Sequence, residues 1–232
     1  MSPIRISYYS DVLCIWAYAS QRRLEQLVAS FGDQISIETR YCSVFPDVWG
    51  KIEDKWGKRG GFEGFGRHSL EVAQKFEHIK VNERIWLDAR PRTSASPHLF
   101  LKAIEAIEAD QLGPELEKQP YLERLSSRAA WAMRLKFFAQ GKDIANWQVH
   151  SEIAAEIGVD YDLVEEKIRS SEALALLAID YDLSRKNNVE GSPTFIMNEG
   201  RQKLFGNVGY RLLEANVKEL LRNHSREEAS WC

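Results

Sequence analysis

The chain has 232 residues, is 44% hydrophobic with seven Trp, carries a net charge of −3 and has a pI near 6.0. That balance gives a globular chain able to bury one sizeable core or two small ones, and it argues against a nucleic-acid partner. The longest near-continuous apolar run, residues 173 to 179, is far too short to span a bilayer.

Residues 4 to 20 organise the rest. Ile4, Ile6 and Tyr8 alternate with polar neighbours, as in a half-buried strand. A short loop through Ser10 and Asp11 follows, and a helical pattern runs from about Ile15 towards Ala29. Cys14 therefore falls at a strand-to-helix turn, where free amides and the helix dipole are expected to stabilise a thiolate. Asp11 works the other way, since a carboxylate facing the thiol raises its pKa.

Residues 34 to 42 read as a second strand with Ile35, Ile37 and Thr39 on one face. Residues 45 to 66 are rich in Gly, Trp and charge and read as a mobile surface loop. A helix is expected over 67 to 78, and residues 81 to 87 can be extended. Ser96-Pro97 reads as a helix start, and Gly113-Pro114 as its end. A long amphipathic helix is expected over 121 to 140, closed by Gly141. Another covers 145 to 157 and ends at Gly158. The next starts at Asp160 or Asp162, and one more runs from Ser171 to about Asn187. The pattern then reverts: residues 194 to 197 read as a strand, Glu199-Gly200 as a turn, 202 to 205 as its hairpin partner, and 210 to 223 as an amphipathic helix. The two ends are expected to complete one α/β layer, with the helical stretch as the crossover from the second strand to a parallel one.

The three cysteines, Cys14, Cys42 and Cys232, are odd in number and widely spaced. They do not read as a disulfide framework. A reducing, cytoplasmic compartment is expected, and the N-terminus has no charged-then-apolar leader. The five histidines show no metal-ligand spacing, so no metal is expected. Cys42 reads as a filler at a strand end, and Cys232 as a thiol in a frayed tail, residues 225 to 232. His98 falls in the first turn of its helix and reads as a surface or core histidine, or else as one facing the insert's cleft. The Lys58-Arg59 and Arg90-Pro91-Arg92 clusters are either solvated loops or attractants for carboxylates.

Two separated motifs then coincide: Cys14-Ile15-Trp16-Ala17 at a strand-to-helix turn, and Gly191-Ser192-Pro193-Thr194-Phe195 immediately before a strand. Together they resemble the DsbA-like thioredoxin-fold family, in which a helical domain interrupts the thioredoxin domain. The insert helices, including Phe138-Ala139-Gln140-Gly141-Lys142-Asp143-Ile144, look like the branch that holds FrnE-like proteins, 2-hydroxychromene-2-carboxylate isomerases and kappa glutathione transferases. The resemblance implies an α/β thioredoxin fold with a discontinuous domain over 1–44 plus 188–224 and a mostly helical insert over 45–187. It implies a cis Pro193 facing Cys14, with the Ser192 backbone pairing an extended cysteinyl peptide or glutathione as one more strand would.

The family's Cys-x-x-Cys is here Cys14-x-x-Ala17, so Cys14 cannot close a local disulfide. The expected activity is single-cysteine thiol–disulfide exchange at Cys14, with glutathione as co-substrate and no bound cofactor. The isomerase and transferase branch usually carries Ser at this position and uses it to hold glutathione's thiolate. The alternatives are therefore a glutathione-dependent transferase or isomerase of small hydrophobic molecules, and a non-catalytic peptide-binding module. Trp16 either walls the active face or packs in the core. The expected partners are glutathione, a cysteine-containing peptide or a small molecule, with no nucleic acid or membrane; a homodimer is compatible with each reading.

Overall fold

The computed structural model describes residues 3–222. Four strands form one mixed sheet in the order β2-β1-β3-β4, with β1 at Ile4–Ser10, β2 at Ile35–Tyr41, β3 at Thr194–Met197 and β4 at Gln202–Phe205. β1 and β2 are parallel, with Ile4 opposite Ile35 and Ser10 opposite Tyr41. Their crossover is the pair α1, Ile15–Ala19, and α2, Gln21–Phe31. The single helix expected from Ile15 is broken at Ser20, whose hydroxyl donates to Trp16 O (2.9 Å).

β3 runs antiparallel to β1, with Ile6 opposite Met197 and Tyr9 opposite Thr194. The helical stretch is thus not a crossover between parallel strands; it returns the chain to the other edge of β1 in the reverse direction. β3 and β4 form the expected hairpin.

α10, Tyr210–Arg222, and α2 cover one face of the sheet. Leu213, Val217 and Leu220 from α10 and Leu24, Leu27 and Phe31 from α2 bury against Ile4, Ile6, Tyr8, Phe195 and Met197. Each such side chain contributes about 1.5–3 kcal/mol on burial.

Between β2 and β3 lies the helical insert: α3 (Val48–Trp56), α4 (Gly61–Ala73), α5 (Ala95–Leu112), α6 (Leu125–Arg134), α7 (Trp147–Ile157), α8 (Tyr161–Arg169) and α9 (Glu172–Lys186). α5 is its axis and packs on α6, α8 and α9. Phe100, Leu101, Ala103 and Ile104 are wholly buried in turn, so this helix has no solvent stripe.

The expected loop over 45–66 is instead α3, a tight turn at Gly57–Arg59 and the first half of α4. Its aromatic residues pack together: Trp49 meets Phe62, and Phe65 meets Phe45, Trp56 and Trp86. The Gly residues serve close approach. A Cβ on Gly64 would lie 1.9 Å from Arg59 O, and one on Gly66 would lie 2.6 Å from Ile85 O. The basic clusters stack on this layer: Arg59 lies over Trp56, Arg90 over Phe62 and Arg92 over Trp49.

Residues 81–87 are turns rather than an extended segment, and Trp86 is buried there with φ 66°. α5 begins at Ala95, just before Ser96-Pro97. The helix expected over 121–140 is split into a turn at Tyr121–Glu123, α6, and a π-helical turn at Leu135–Ala139. The N-terminus of α6 is capped from outside. The Glu108 carboxylate of α5 accepts from Leu125 N (2.5 Å), Ser126 N (3.2 Å) and Ser126 Oγ (2.7 Å). The π turn releases Phe138 O, which accepts from Asn82 N at 2.7 Å. Asp160 starts α8, accepting from Asp162 N. The expected frayed tail and Cys232 lie outside the described residues.

Candidate functional site at Cys14 and Ser192

The turn between β1 and α1 is built on Asp11, which is fully buried. Oδ1 accepts from Leu13 N (2.9 Å), closing an Asx turn. Oδ2 accepts from Val44 N (3.0 Å), Phe45 N (3.0 Å) and Ser94 Oγ (2.7 Å). One carboxylate thus ties together the end of β1, the exit from β2 and the entry to α5. On the other side, Asp11 N donates to Ser192 Oγ at 2.9 Å.

Cys14 follows as the residue before α1, and its N–H donates to Asp11 O at 3.1 Å. Its thiol donates to Ser192 O at 3.1 Å, and the Ser192–Pro193 peptide is cis. The two sequence motifs therefore meet, 178 residues apart along the chain.

Burial works against the thiolate expected from the position of Cys14 in the sequence. Cys14 is only 7% exposed, and burial pushes its pKa up. The amides of Ala17 and Trp16 and the contact with Ser192 oppose that rise, while the Asp11 charge adds to it. α1 spans five residues, so its terminus offers little field against a buried site and a facing carboxylate. Ala17 is buried beside the sulfur and carries no second thiol. Cys42 is a free buried cysteine clustered with Tyr9 and Ile196, and burial pushes its thiol up as well. Trp16 is half-buried, edge-on to Phe76 at 6.3 Å, so it both packs and borders the face.

Two further groups act on this turn, of which the sequence singles out only His98. Lys51, on α3, donates to Val44 O (2.7 Å) and lies over the Phe45 ring. Burial lowers its pKa, and attraction to Asp11 and Cys14 opposes that fall, so its charge bears on the same turn. Nothing in a Gly-rich stretch marks this lysine.

His98 is the second. Its Nε2 accepts from Val12 N (3.2 Å), which leaves the ring proton on Nδ1, facing Tyr181 Oη at 3.3 Å. The ring is fully buried and stacked on Tyr41. Burial holds its pKa down at about 4, with Asp11 opposing. The unfolded value is about 6.5. Between those two values the unfolded chain binds the proton and the folded chain does not. Stability is therefore full above the upper value and falls as pH drops through the window, by roughly 3 kcal/mol in all. Urea midpoints of wild type and His98→Gln are expected to converge as pH is lowered from neutral towards 4; parallel curves would show that His98 is not the proton acceptor.

Among the described residues no group of three or more His, Cys, Asp or Glu is placed to hold a metal ion. No described helix is long and apolar enough to cross a membrane.

A model of the DSBA-like thioredoxin domain family matches residues 116–218, just under half of the chain. The matched part includes Ser192 and Pro193 but not Cys14. No curated protein sequence matches. Solved structures match over nearly the whole chain. One from Nitrosomonas europaea, described as a candidate protein disulfide isomerase, is 12% identical with a TM-score of 0.75, covering 96% of this chain and all of that one. The cytosolic disulfide reductase DsbM from Pseudomonas aeruginosa, solved with GSH, is 19% identical with a TM-score of 0.65, covering 94% of this chain and 99% of that one. A 2-hydroxychromene-2-carboxylate isomerase is 16% identical with a TM-score of 0.61, covering 97% of this chain and all of that one. At these identities the likeness establishes the fold, a DsbA-like thioredoxin fold with a helical insert.

Proposed function

We propose that this protein carries out thiol–disulfide exchange through the single nucleophile Cys14, with glutathione as co-substrate, in a reducing compartment. The observation that carries the proposal is the Cys14 Sγ contact to Ser192 O beside the cis Ser192–Pro193 bond. A cysteinyl segment running along the Ser192 backbone as an added strand would bring its own sulfur to Cys14. The Cys14 thiol loses its proton to solvent, and its sulfur bonds one sulfur of the disulfide while the other leaves as a thiolate. A glutathione thiolate then attacks the mixed disulfide, and Cys14 leaves and is reprotonated. Lys51 supplies positive charge towards the sulfur. Trp16 borders the approach, and Ala17 leaves resolution to the external thiol.

The raised Cys14 pKa favours a second reading. A protonated Cys14 can donate its S–H to glutathione's thiolate, as the serine of the isomerase and transferase branch does. The protein would then be a glutathione-dependent isomerase or transferase.

Intact mass with peptide mapping after incubation with glutathione disulfide tests the first reading. One glutathione is expected at Cys14, removable by free glutathione. Its rate should keep rising with pH beyond the ordinary thiol range, about 8.5. A Cys14 that stays unmodified at every pH while glutathione still binds defeats exchange and leaves the donor reading. No modification and no glutathione binding defeats both.

A further inference from the structure

Arg134, the last residue of α6, is 4% exposed, yet no carboxylate lies within ion-pair distance of it among the described residues. Its guanidinium donates to Ser10 Oγ (2.7 Å) and Ala130 O (3.3 Å), both neutral acceptors, and its Nε has no partner. A buried cation without a counter-charge is costly. Tyr8, 2% exposed on β1, stands beside it: its buried hydroxyl has no hydrogen-bond partner of good geometry and has Ser10 as a polar neighbour. Burial pushes the Tyr8 pKa up to about 12, with Arg134 partly offsetting, so the hydroxyl keeps its proton and can donate.

Both groups line one cavity of about 190 Å³, enclosed by β1, α2, β2, the turn at Tyr121–Glu123 and α6. At roughly 30 Å³ per water, that volume exceeds the needs of a bare monatomic or small inorganic anion. Leu24, Leu122, Ala130 and the rings of Tyr121 and Trp131 form its apolar wall, and Gln21, Thr39 and Ser127 add neutral polar lining. The remaining charged lining is one residue of each sign: Arg128 is exposed, and Glu25 is half-buried and makes no ion pair with Arg134. The cavity therefore presents net positive charge beside an apolar wall.

We propose that this cavity binds a small organic carboxylate with a flat or apolar body. The carboxylate would accept from Arg134 Nε and Tyr8 Oη, and the body would lie against Ala130 and Trp131. This is separate from the proposed thiol chemistry: neither Cys14 nor Ser192 lines the cavity.

Calorimetric titration of the whole chain with benzoate tests the proposal. Benzamide supplies the same ring without the charge, and inorganic phosphate supplies charge without a ring. Benzoate is expected to bind with millimolar affinity or tighter, and both controls at least about tenfold more weakly. Tyr8→Phe keeps the ring packed on Phe195 (5.0 Å) and is expected to weaken benzoate about tenfold. Ala130→Leu fills the cavity and should abolish binding. Melting curves establish that both variants are folded. The proposal is overturned if benzoate does not bind. It is equally overturned if benzoate binds both folded variants as tightly as wild type, or if phosphate or benzamide matches it.

Discussion

Asp11→Ala is expected to destabilise the fold by about 3–5 kcal/mol. The substitution strands two buried backbone amides, Leu13 N and Phe45 N, and the part-buried Val44 N. Each buried donor left unsatisfied costs about 1–3 kcal/mol, and loss of the desolvated charge returns part of that sum. Ser94 Oγ suffers less because Phe45 O is a second acceptor at 3.2 Å. Against a typical domain stability of about 5–15 kcal/mol, the loss is a large fraction. Asp11→Asn keeps the shape and one acceptor oxygen, so it should cost less. It also removes the negative charge that helps hold the Cys14 pKa up. Asp11→Asn should therefore alkylate at Cys14 faster near neutral pH than wild type while being less stable to urea. An alanine variant as stable as wild type would show that Asp11 does not anchor the turn. An unchanged pH profile in the Asn variant would remove its charge from the account of the thiol.

What the sequence made legible was local. The alternation of Ile4, Ile6 and Tyr8, the break into α1, the β3–β4 hairpin and the stripe of α10 all follow from periodicity within a few residues. The meeting of Cys14 with Ser192 came from resemblance, since no periodicity links residues so far apart. What stayed hidden depends on partners far along the chain. Gly64 and Gly66 look like loop residues, yet they sit in α4 because Arg59 O and Ile85 O approach too closely for a side chain. The start of α6 is fixed by a carboxylate on α5. The direction of β3 is set by its register with β1, which the strand's own residues do not encode. Lys51 and His98 are ordinary residues in sequence, and only packing brings their electrostatics to the turn. For Cys14 the sequence shows the local amides and the opposing Asp11, while the burial that pushes its pKa up comes only from packing.

Cys14→Ser and Cys14→Ala together are expected to separate the two chemistries. A serine hydroxyl can still donate to Ser192 O in place of the thiol, so the turn should hold with a loss of about 1 kcal/mol. It cannot form a mixed disulfide. Under the exchange proposal, both variants should lose disulfide reduction by on the order of a thousandfold or more, to the rate of glutathione alone. Under the donor reading, serine preserves the hydrogen bond to glutathione's thiolate and alanine deletes it. Glutathione-dependent conjugation or isomerisation would then survive in Cys14→Ser and fall in Cys14→Ala. Assaying both variants for both reactions, each with a melting curve, turns one position into a two-way test. Equal loss of exchange in the two variants supports the nucleophile. Survival of conjugation in serine alone supports the donor. Wild-type exchange rates in either variant would move the chemistry away from Cys14, because Ala17 offers no second thiol and Cys42 is buried elsewhere, against Tyr9 and Ile196.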